Sequence, residues 1–301
     1  MTKIRLAVVE TPLQLLCAYE ALEDNRNAYT ILRLTGAARN DKQVLTLARQ
    51  LNLRCITVKV PPRQPWAMLR AIWTLRHLLL RNYEVVYLGS YFSRFIRSIA
   101  LLFRGPVFIL DDGVATLLAQ TKIQNSRQFD SIYTFLPVKP LQGQTCIRHS
   151  FERLAARFRS PDTACIGTYF IGQPLVENGL VNENRYHSLI RDCVKESNDT
   201  IIYIAHRAES EYYLKKLGDI PGIAVQYVDV PVELYFLMEV PPPKIVYSSI
   251  STALFSLSLL LPDSKIEAKP LSDLYNNVRV PHALEIIKAM KESNRIHVTE
   301  S

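Results

Sequence analysis

Short apolar runs that read as strands alternate with helix-like runs along nearly the whole 301-residue chain, and no other feature constrains its fold as tightly. IRLAVVE (4–10) precedes PLQLLCAYEALED (12–24), YTILRL (29–34) precedes DKQVLTLARQLN (41–52), and CITVKV (55–60) precedes PWAMLRAIWTLRHLLLRN (65–82). EVVYLGS (84–90) then precedes SRFIRSIALLFR (93–104), and VFILDDG (107–113) opens a further helix-like run. The later part repeats the pattern: TIIYIAH then AESEYYLKKLGD, IAVQYVDV then PVELYFLMEV, KIVYSSI then STALFSLSLLL. Strands apolar on both faces, each followed by a helix, predict parallel sheets covered by helices, an α/β fold.

At this length two domains are the default. The stretch FRSPDTACIGTYFIGQPLVENGLVNEN (158–184) holds two prolines and three glycines and little periodicity. The boundary is therefore expected near residues 160 to 180, with domains at 1–165 and 166–301 and the last helix packing back on the first. Two doubly wound, Rossmann-like halves facing across a cleft form the GT-B type of architecture. Many nucleotide-sugar transferases and some epimerases share it, so the fold alone does not give the function.

Composition narrows the classes. Apolar residues make up 48% of the chain, enough for packed cores without a disorder signature. The net charge of +8 suits an anionic substrate, an anionic membrane face or nucleic acid. Nucleic acid is the weakest of the three, because no Lys/Arg run of five, no aromatic-interleaved basic motif and no zinc-finger spacing occurs. Five scattered cysteines without CxxC predict reduced, mostly buried thiols in a cytoplasmic protein. No signal peptide is visible at MTKIRLAVVETP. The uncharged stretch Ile245 to Leu261 is expected to be a buried strand, turn and helix; its helical half is too short to cross about 30 Å of hydrocarbon.

Ligands in open parallel sheets sit beyond the C-terminal ends of the strands. Polar signatures fall at such ends: Glu10-Thr11-Pro12, Gly89-Ser90, Asp111-Asp112-Gly113, His206-Arg207 and Ser248 to Thr252. Read alone, Asp111-Asp112-Gly113 is a strand ending in a turn, with an Asp cap and a glycine at positive φ. Read with the other signatures, a carboxylate there is a general base whose pKa its acidic neighbour raises. Ser248, Ser249, Ser251 and Thr252 surround a helix N-terminus, which suits a phosphate, and one of them also suffices as a cap. His206 and Arg207 can each donate to a phosphate oxygen, and His206 can stabilise a leaving phosphate. A carboxylate in one half and an anion site in the other suit glycosyl transfer with inversion. No convincing metal-ligand cluster stands out, and no cofactor is expected.

These residues resemble the bacterial GT-B sialyltransferases, in particular the lipooligosaccharide sialyltransferase family (glycosyltransferase family 52) and its polysialyltransferase relatives. The match is carried by TPLQLLCAYEAL (11–22), DDG (111–113), IGQPLVENG (171–179), YIAHRAES (203–210) and YSSISTAL (247–254). The resemblance implies that the first acid of the acidic motif, Asp111, is the general base. It implies that His206, Ser248, Ser249, Ser251 and Thr252 bind the CMP moiety of CMP-sialic acid, and that the chemistry needs no metal. Thr11, Gln14, Asp112 and Gly113 are expected as acceptor-side and loop residues, with Asp112 orienting the loop or capping the helix that begins near Val114. The first domain then binds the acceptor, a glycan or glycolipid such as lipooligosaccharide or capsule, and the second binds the donor. Arg207 departs from the family, which usually has Pro there. Arginine could bind the donor phosphate or carboxylate in compensation, and pseudaminic, legionaminic or Kdo donors stand beside sialic acid.

Two other readings compete: a GT-B enzyme using a UDP-sugar, or a related epimerase; and a catalytically silent glycan- or membrane-binding scaffold. RAIWTLRHLLLRN (70–82) carries Arg70, Arg76, His77 and Arg81 among Trp73 and leucines. Such a segment can rest on the anionic inner face of a membrane, and an ordinary amphipathic helix with solvated arginines reads the same way.

Overall fold

The computed structural model describes residues 4–23, 27–126, 129–139, 145–159, 164–275 and 283–299. The chain divides into two compact units, Met1–Arg157 and Phe158–Ser301.

The first unit is a seven-stranded parallel sheet of β1 (Arg5–Val9), β2 (Ala28–Leu34), β3 (Cys55–Lys59), β4 (Val85–Leu88), β5 (Val107–Leu110), β6 (Ser131–Thr134) and β7 (Thr145–Arg148). Their order is β3-β2-β1-β4-β5-β6-β7. The helices are α1 (Pro12–Ala21), α2 (Ala38–Gln50), α3 (Pro65–Leu79), α4 (Arg94–Ala100), α5 (Val114–Gln124) and α6 (Glu152–Phe158). Right-handed crossovers put α1 and α2 on one face of the sheet. The direction of winding reverses after β3, so α3 and α4 cover the other face, and each pair packs side by side. The core is built from the fully buried β1, β2 and β4 positions Leu6, Val8, Ile31, Val86 and Leu88. Local chemistry sets the helix ends. Thr11 accepts from the Gln14 N–H and Pro12 occupies the first turn of α1. The buried Glu20 carboxylate accepts from the N–H groups of Arg153 (3.1 Å) and Leu154 (2.6 Å), an anion at the N-terminus of α6.

The second unit is a six-stranded parallel sheet of β8 (Thr168–Ile171), β9 (Ile201–Ile204), β10 (Ile223–Gln226), β11 (Ile245–Ser248), β12 (Lys265–Ala268) and β13 (His297–Val298). Their order is β10-β9-β8-β11-β12-β13. The helices are α7 (Glu183–Ser197), α8 (Glu211–Gly218), α9 (Val232–Leu234, continuing as a π turn over Tyr235–Glu239), α10 (Ala253–Leu260) and α11 (Ala283–Glu292). The doubly wound α/β architecture predicted from the strand–helix alternation is present in both units.

The stretch expected to be an interdomain linker holds β8, an interior strand of the second sheet. Residues 160–163, at the start of that expected boundary, lie outside the described residues. Ile245 to Leu261 is strand, turn and helix as expected, and no helix among the described residues is long and apolar enough to cross a membrane. Cys17 and Cys193 are buried, Cys55, Cys146 and Cys165 are half-buried, and none of the five is in a disulfide.

Candidate functional site

In each sheet the winding direction reverses once, between β1 and β4 in the first unit and between β8 and β11 in the second. Ligands bind open α/β sheets beyond the strand ends at such points. In the first unit a cleft of about 690 Å³ opens there, lined among others by Glu10, Gln14, Arg33, Ser90, Arg94 and Asp112.

Asp112 is one of two carboxylates in this cleft. Gln14 Nε2 donates to its Oδ1 at 2.5 Å and Ser90 Oγ donates to its Oδ2 at 2.7 Å. Its own N–H donates to Thr116 Oγ1 at 2.7 Å, which anchors the turn into α5. Gly113, at φ 66°, makes that turn, a left-handed conformation that an L side chain disfavours. Burial pushes the Asp112 carboxyl above the ordinary carboxylate range, and the Ser90 and Gln14 bonds oppose the shift. Thr11 lines the same cleft as the cap of α1.

A second carboxylate, Glu10, is 7% exposed and ion-paired to Arg33, whose guanidinium also donates to Ser93 Oγ at 3.0 Å. Burial raises the Glu10 carboxyl as well. The strand-end signatures pointed to Glu10 and Ser90. Arg33, Arg63 and Arg94, which also line the cleft, carried no signal, since each lies inside or beside an ordinary strand or helix pattern.

Asp111 is placed otherwise than expected. It is 0% exposed, and its oxygens accept from Thr134 Oγ1 and from the Phe135 N–H, both at 2.7 Å. Burial pushes its carboxyl up to about 7. The alternating pleat turns adjacent side chains to opposite sides, so one acid ties β5 to the end of β6 and the other faces the cleft. As a base reached by an acceptor, Asp111 is therefore corrected: no surface of it is open to one. Potential ligand atoms of Asp111, Cys17 and His149 lie within 4.8 Å of one another, a trio the sequence did not reveal because its members are far apart in the chain. His149 stacks on Tyr133 at 4.7 Å, neither of its nitrogens has a hydrogen-bond partner among the described residues, and burial lowers its pKa to about 3. It is a neutral ring in an aromatic setting, while Asp111 already accepts two hydrogen bonds.

In the second unit His206 and Arg207 follow β9. His206 Nδ1 accepts from the Ala208 N–H at 3.2 Å, which leaves the neutral ring's proton on Nε2 as a donor. Burial, and then Arg207, lower its pKa to about 4, so it acts as a neutral donor and not as a cation near neutral pH. Its N–H is held by Glu209 Oε2 at 2.6 Å, and Glu209 also accepts from Tyr203 Oη at 2.5 Å. Burial pushes the Glu209 carboxyl up to about 7. This acid was missed, since AHRAES reads as a loop running into a helix cap.

The serine cluster splits. Ser248 and Ser249 are both 0% exposed, and Ser248 Oγ donates to the Ile171 carbonyl at 2.7 Å, tying β11 to β8. The expectation that these two hydroxyls meet a donor phosphate is corrected, because both lie in the interior. Ser251 and Thr252 are half-buried at the start of α10, where Ser251 Oγ accepts from the Ala253 N–H at 3.3 Å. Gln173 Oε1 accepts from the Ile250 N–H at 2.9 Å and so positions this turn.

No protein-family model matches the chain, that of the lipooligosaccharide sialyltransferases included, and no curated protein matches it by sequence. Solved structures do. A Listeria monocytogenes protein described as a UDP-N-acetylglucosamine 2-epimerase aligns over 97% of this chain and 87% of its own, with TM-score 0.59 and 9% identity. The UDP-GlcNAc 2-epimerase of Methanocaldococcus jannaschii aligns over 99% and 89%, with TM-score 0.55 and 12% identity. A glycosyltransferase of Rickettsia africae aligns over 98% and 93%, with TM-score 0.54 and 9% identity. The chain has the two-unit α/β fold of GT-B type. At these identities the likeness is one of fold.

Proposed function

We propose that the chain is an inverting glycosyltransferase that moves sialic acid or a related nonulosonic acid from a CMP-activated donor to a cell-surface glycan. In this reading the first unit takes the acceptor, and the second takes the donor. The observation that carries it is Asp112, a carboxylate with a raised pKa held by two donors in the cleft at the first sheet's switch point.

Asp112 serves as the general base. It takes the proton of the acceptor hydroxyl as that oxygen bonds to the anomeric carbon. The carbon–oxygen bond to the donor phosphate breaks, and CMP departs with the electron pair from the opposite face. His206 Nε2–H and the Arg207 guanidinium donate to the departing phosphate, with the Ser251 and Thr252 hydroxyls as further donors. These residues supply both the base and the leaving-group stabilisation, and no cofactor takes part.

The resemblance of the DDG motif, of His206 and of Ser251 and Thr252 supports the CMP-sugar. UDP-sugar chemistry is the second reading, favoured by the UDP-sugar named for two of the fold's neighbours. One experiment separates them. The purified protein is incubated with CMP-activated nonulosonic acids and with UDP-sugars, with and without a glycan acceptor, and nucleotide release and sugar transfer are measured. CMP release that Asp112→Asn abolishes is the expected outcome. UDP release overturns the donor, and release of neither nucleotide overturns the enzyme.

A further inference from the structure

From Lys42 to Leu110 the chain carries eleven Lys and Arg and one acid, Glu84, so this stretch alone exceeds the net charge of the whole protein. Glu84 is in turn paired with Arg5. The stretch runs from α2 to β5 and includes α3 and α4, which pack side by side on one face of the first sheet.

Within it, α3 packs on the sheet through Ala71, Leu75 and Leu79 and turns a second apolar stripe outward. Trp66 is 82% exposed, Leu69 52%, Trp73 69% and Leu80 70%. These positions fall at i, i+3, i+7 and i+14, one side of a helix. Trp66 and Trp73 are the only tryptophans in the chain. Large aromatic side chains are usually well buried, and a row of exposed ones marks a surface that meets another phase or molecule. Exposed Arg70, His77 and Arg81 flank the stripe, and Arg76 stacks on Trp73 at 4.4 Å. On the neighbouring α4, Arg94 and Arg97 are exposed, as are Leu101 and Arg104 just beyond it. Tryptophan and leucine ringed by arginine, without a carboxylate, match the boundary between anionic headgroups and acyl chains. A nucleic acid would use the cations but gives the leucines nothing to bury in.

We propose that the α3 face of the first unit docks onto a lipid bilayer with anionic headgroups. Trp66, Leu69, Trp73 and Leu80 enter the headgroup–acyl boundary, and Arg70, Arg76 and Arg81 meet the phosphates. The inference does not rest on the proposed reaction, and its test reads no turnover.

The test uses the full chain and its own tryptophan emission, which reports on this face alone. Vesicles of equimolar phosphatidylcholine and phosphatidylglycerol should shift the emission to the blue and sediment the protein. Phosphatidylcholine vesicles should do neither, and added salt should weaken the effect by screening. Arg70→Glu with Arg81→Glu should lower partitioning by roughly fivefold or more per residue at an unchanged circular dichroism spectrum. Leu69→Ser with Trp73→Ser should remove the blue shift of the remaining Trp66. Three results overturn the proposal: emission and sedimentation unmoved by anionic vesicles, a blue shift that follows protein concentration without vesicles, or a shift given by RNA and by no vesicle.

Discussion

Gln14 joins two strand ends that lie about a hundred residues apart in the chain: its Oε1 accepts from the Glu10 N–H at 2.8 Å while its Nε2 donates to Asp112 Oδ1 at 2.5 Å. The side chain is 1% exposed, and Gly89 makes room for it, because a Cβ at that position would collide with the Gln14 amide. The amide thus favours the charged form of Asp112, against the larger opposing effect of burial. Gln14→Glu keeps the shape and replaces the donor by a like charge. The acidic limb of the kcat/KM profile should then move to higher pH, as should the onset of CMP release. An unmoved limb would show that Asp112 is not the titrating base.

Asp112→Asn should lower kcat by about 10²–10⁴-fold, the usual contribution of a general base, with the fold intact by circular dichroism. Donor affinity by calorimetry should change little, since the variant retains His206 and Arg207. Asp111→Asn should reduce turnover much less, because the Asp111 oxygens are spent on Thr134 and Phe135. The reverse ranking of the two variants would restore Asp111 as the base.

Asp111 should instead show in the pH dependence of stability. Its carboxyl moves from the ordinary 3.8 to about 7 in the folded protein. Between those values the native state holds a proton that the unfolded chain has released, so this group's contribution falls as pH rises from about 4 to 7. Glu209, pushed from 4.5 to about 7, acts in the same direction. His206 and His149, lowered from 6.5 to about 4 and about 3, act oppositely and cost stability as pH falls below their ordinary value. Asp111→Asn removes only its own share. The melting temperature of the variant relative to the parent should therefore rise between about pH 5 and pH 8, whatever the offset from the altered hydrogen bonds. A constant difference across that range would mean that the carboxyl is charged in both states.

The strand–helix alternation was legible because parallel strands are buried on both faces and leave uninterrupted apolar runs such as LAVV and VFIL. β8 was not, since its four residues lie between Gly167 and Gly172 in a stretch whose composition reads as linker. The site was legible to the level of strand ends. Asp111-Asp112, His206 and the serine run all fall there, as the fold requires. Which member of each pair faces outward was not, because that is decided by one step of the pleat and by partners far along the chain: Gln14 and Ser90 for Asp112, Thr134 for Asp111, Ile171 for Ser248. Exposure of Trp66 and Trp73 was equally hidden, since an apolar helix residue reads the same whether it faces a core or a membrane.

Gly172 offers the last test, at the junction of β8 and the loop that holds His206. A Cβ there would stand 2.6 Å from Glu209 Oε2, 2.7 Å from Tyr203 Oη and 2.8 Å from the Ile204 carbonyl oxygen. Two of these are side-chain tips that can retreat. The third is backbone, fixed by the bond it accepts from the Gly172 N–H at 2.9 Å. Gly172→Ala should therefore destabilise the protein by about 1–3 kcal/mol in urea unfolding, the usual cost of overpacking a well-fitted interior. Because the displaced Glu209 also accepts from the His206 N–H, CMP affinity should fall in the folded variant as well. Adding Glu209→Ala relieves the carboxylate contact but leaves the Ile204 carbonyl in place and removes the anchor of His206. The double variant should recover part of the stability and none of the affinity. Full recovery of both would mean that Glu209 is a bystander and that the loop is held by something else.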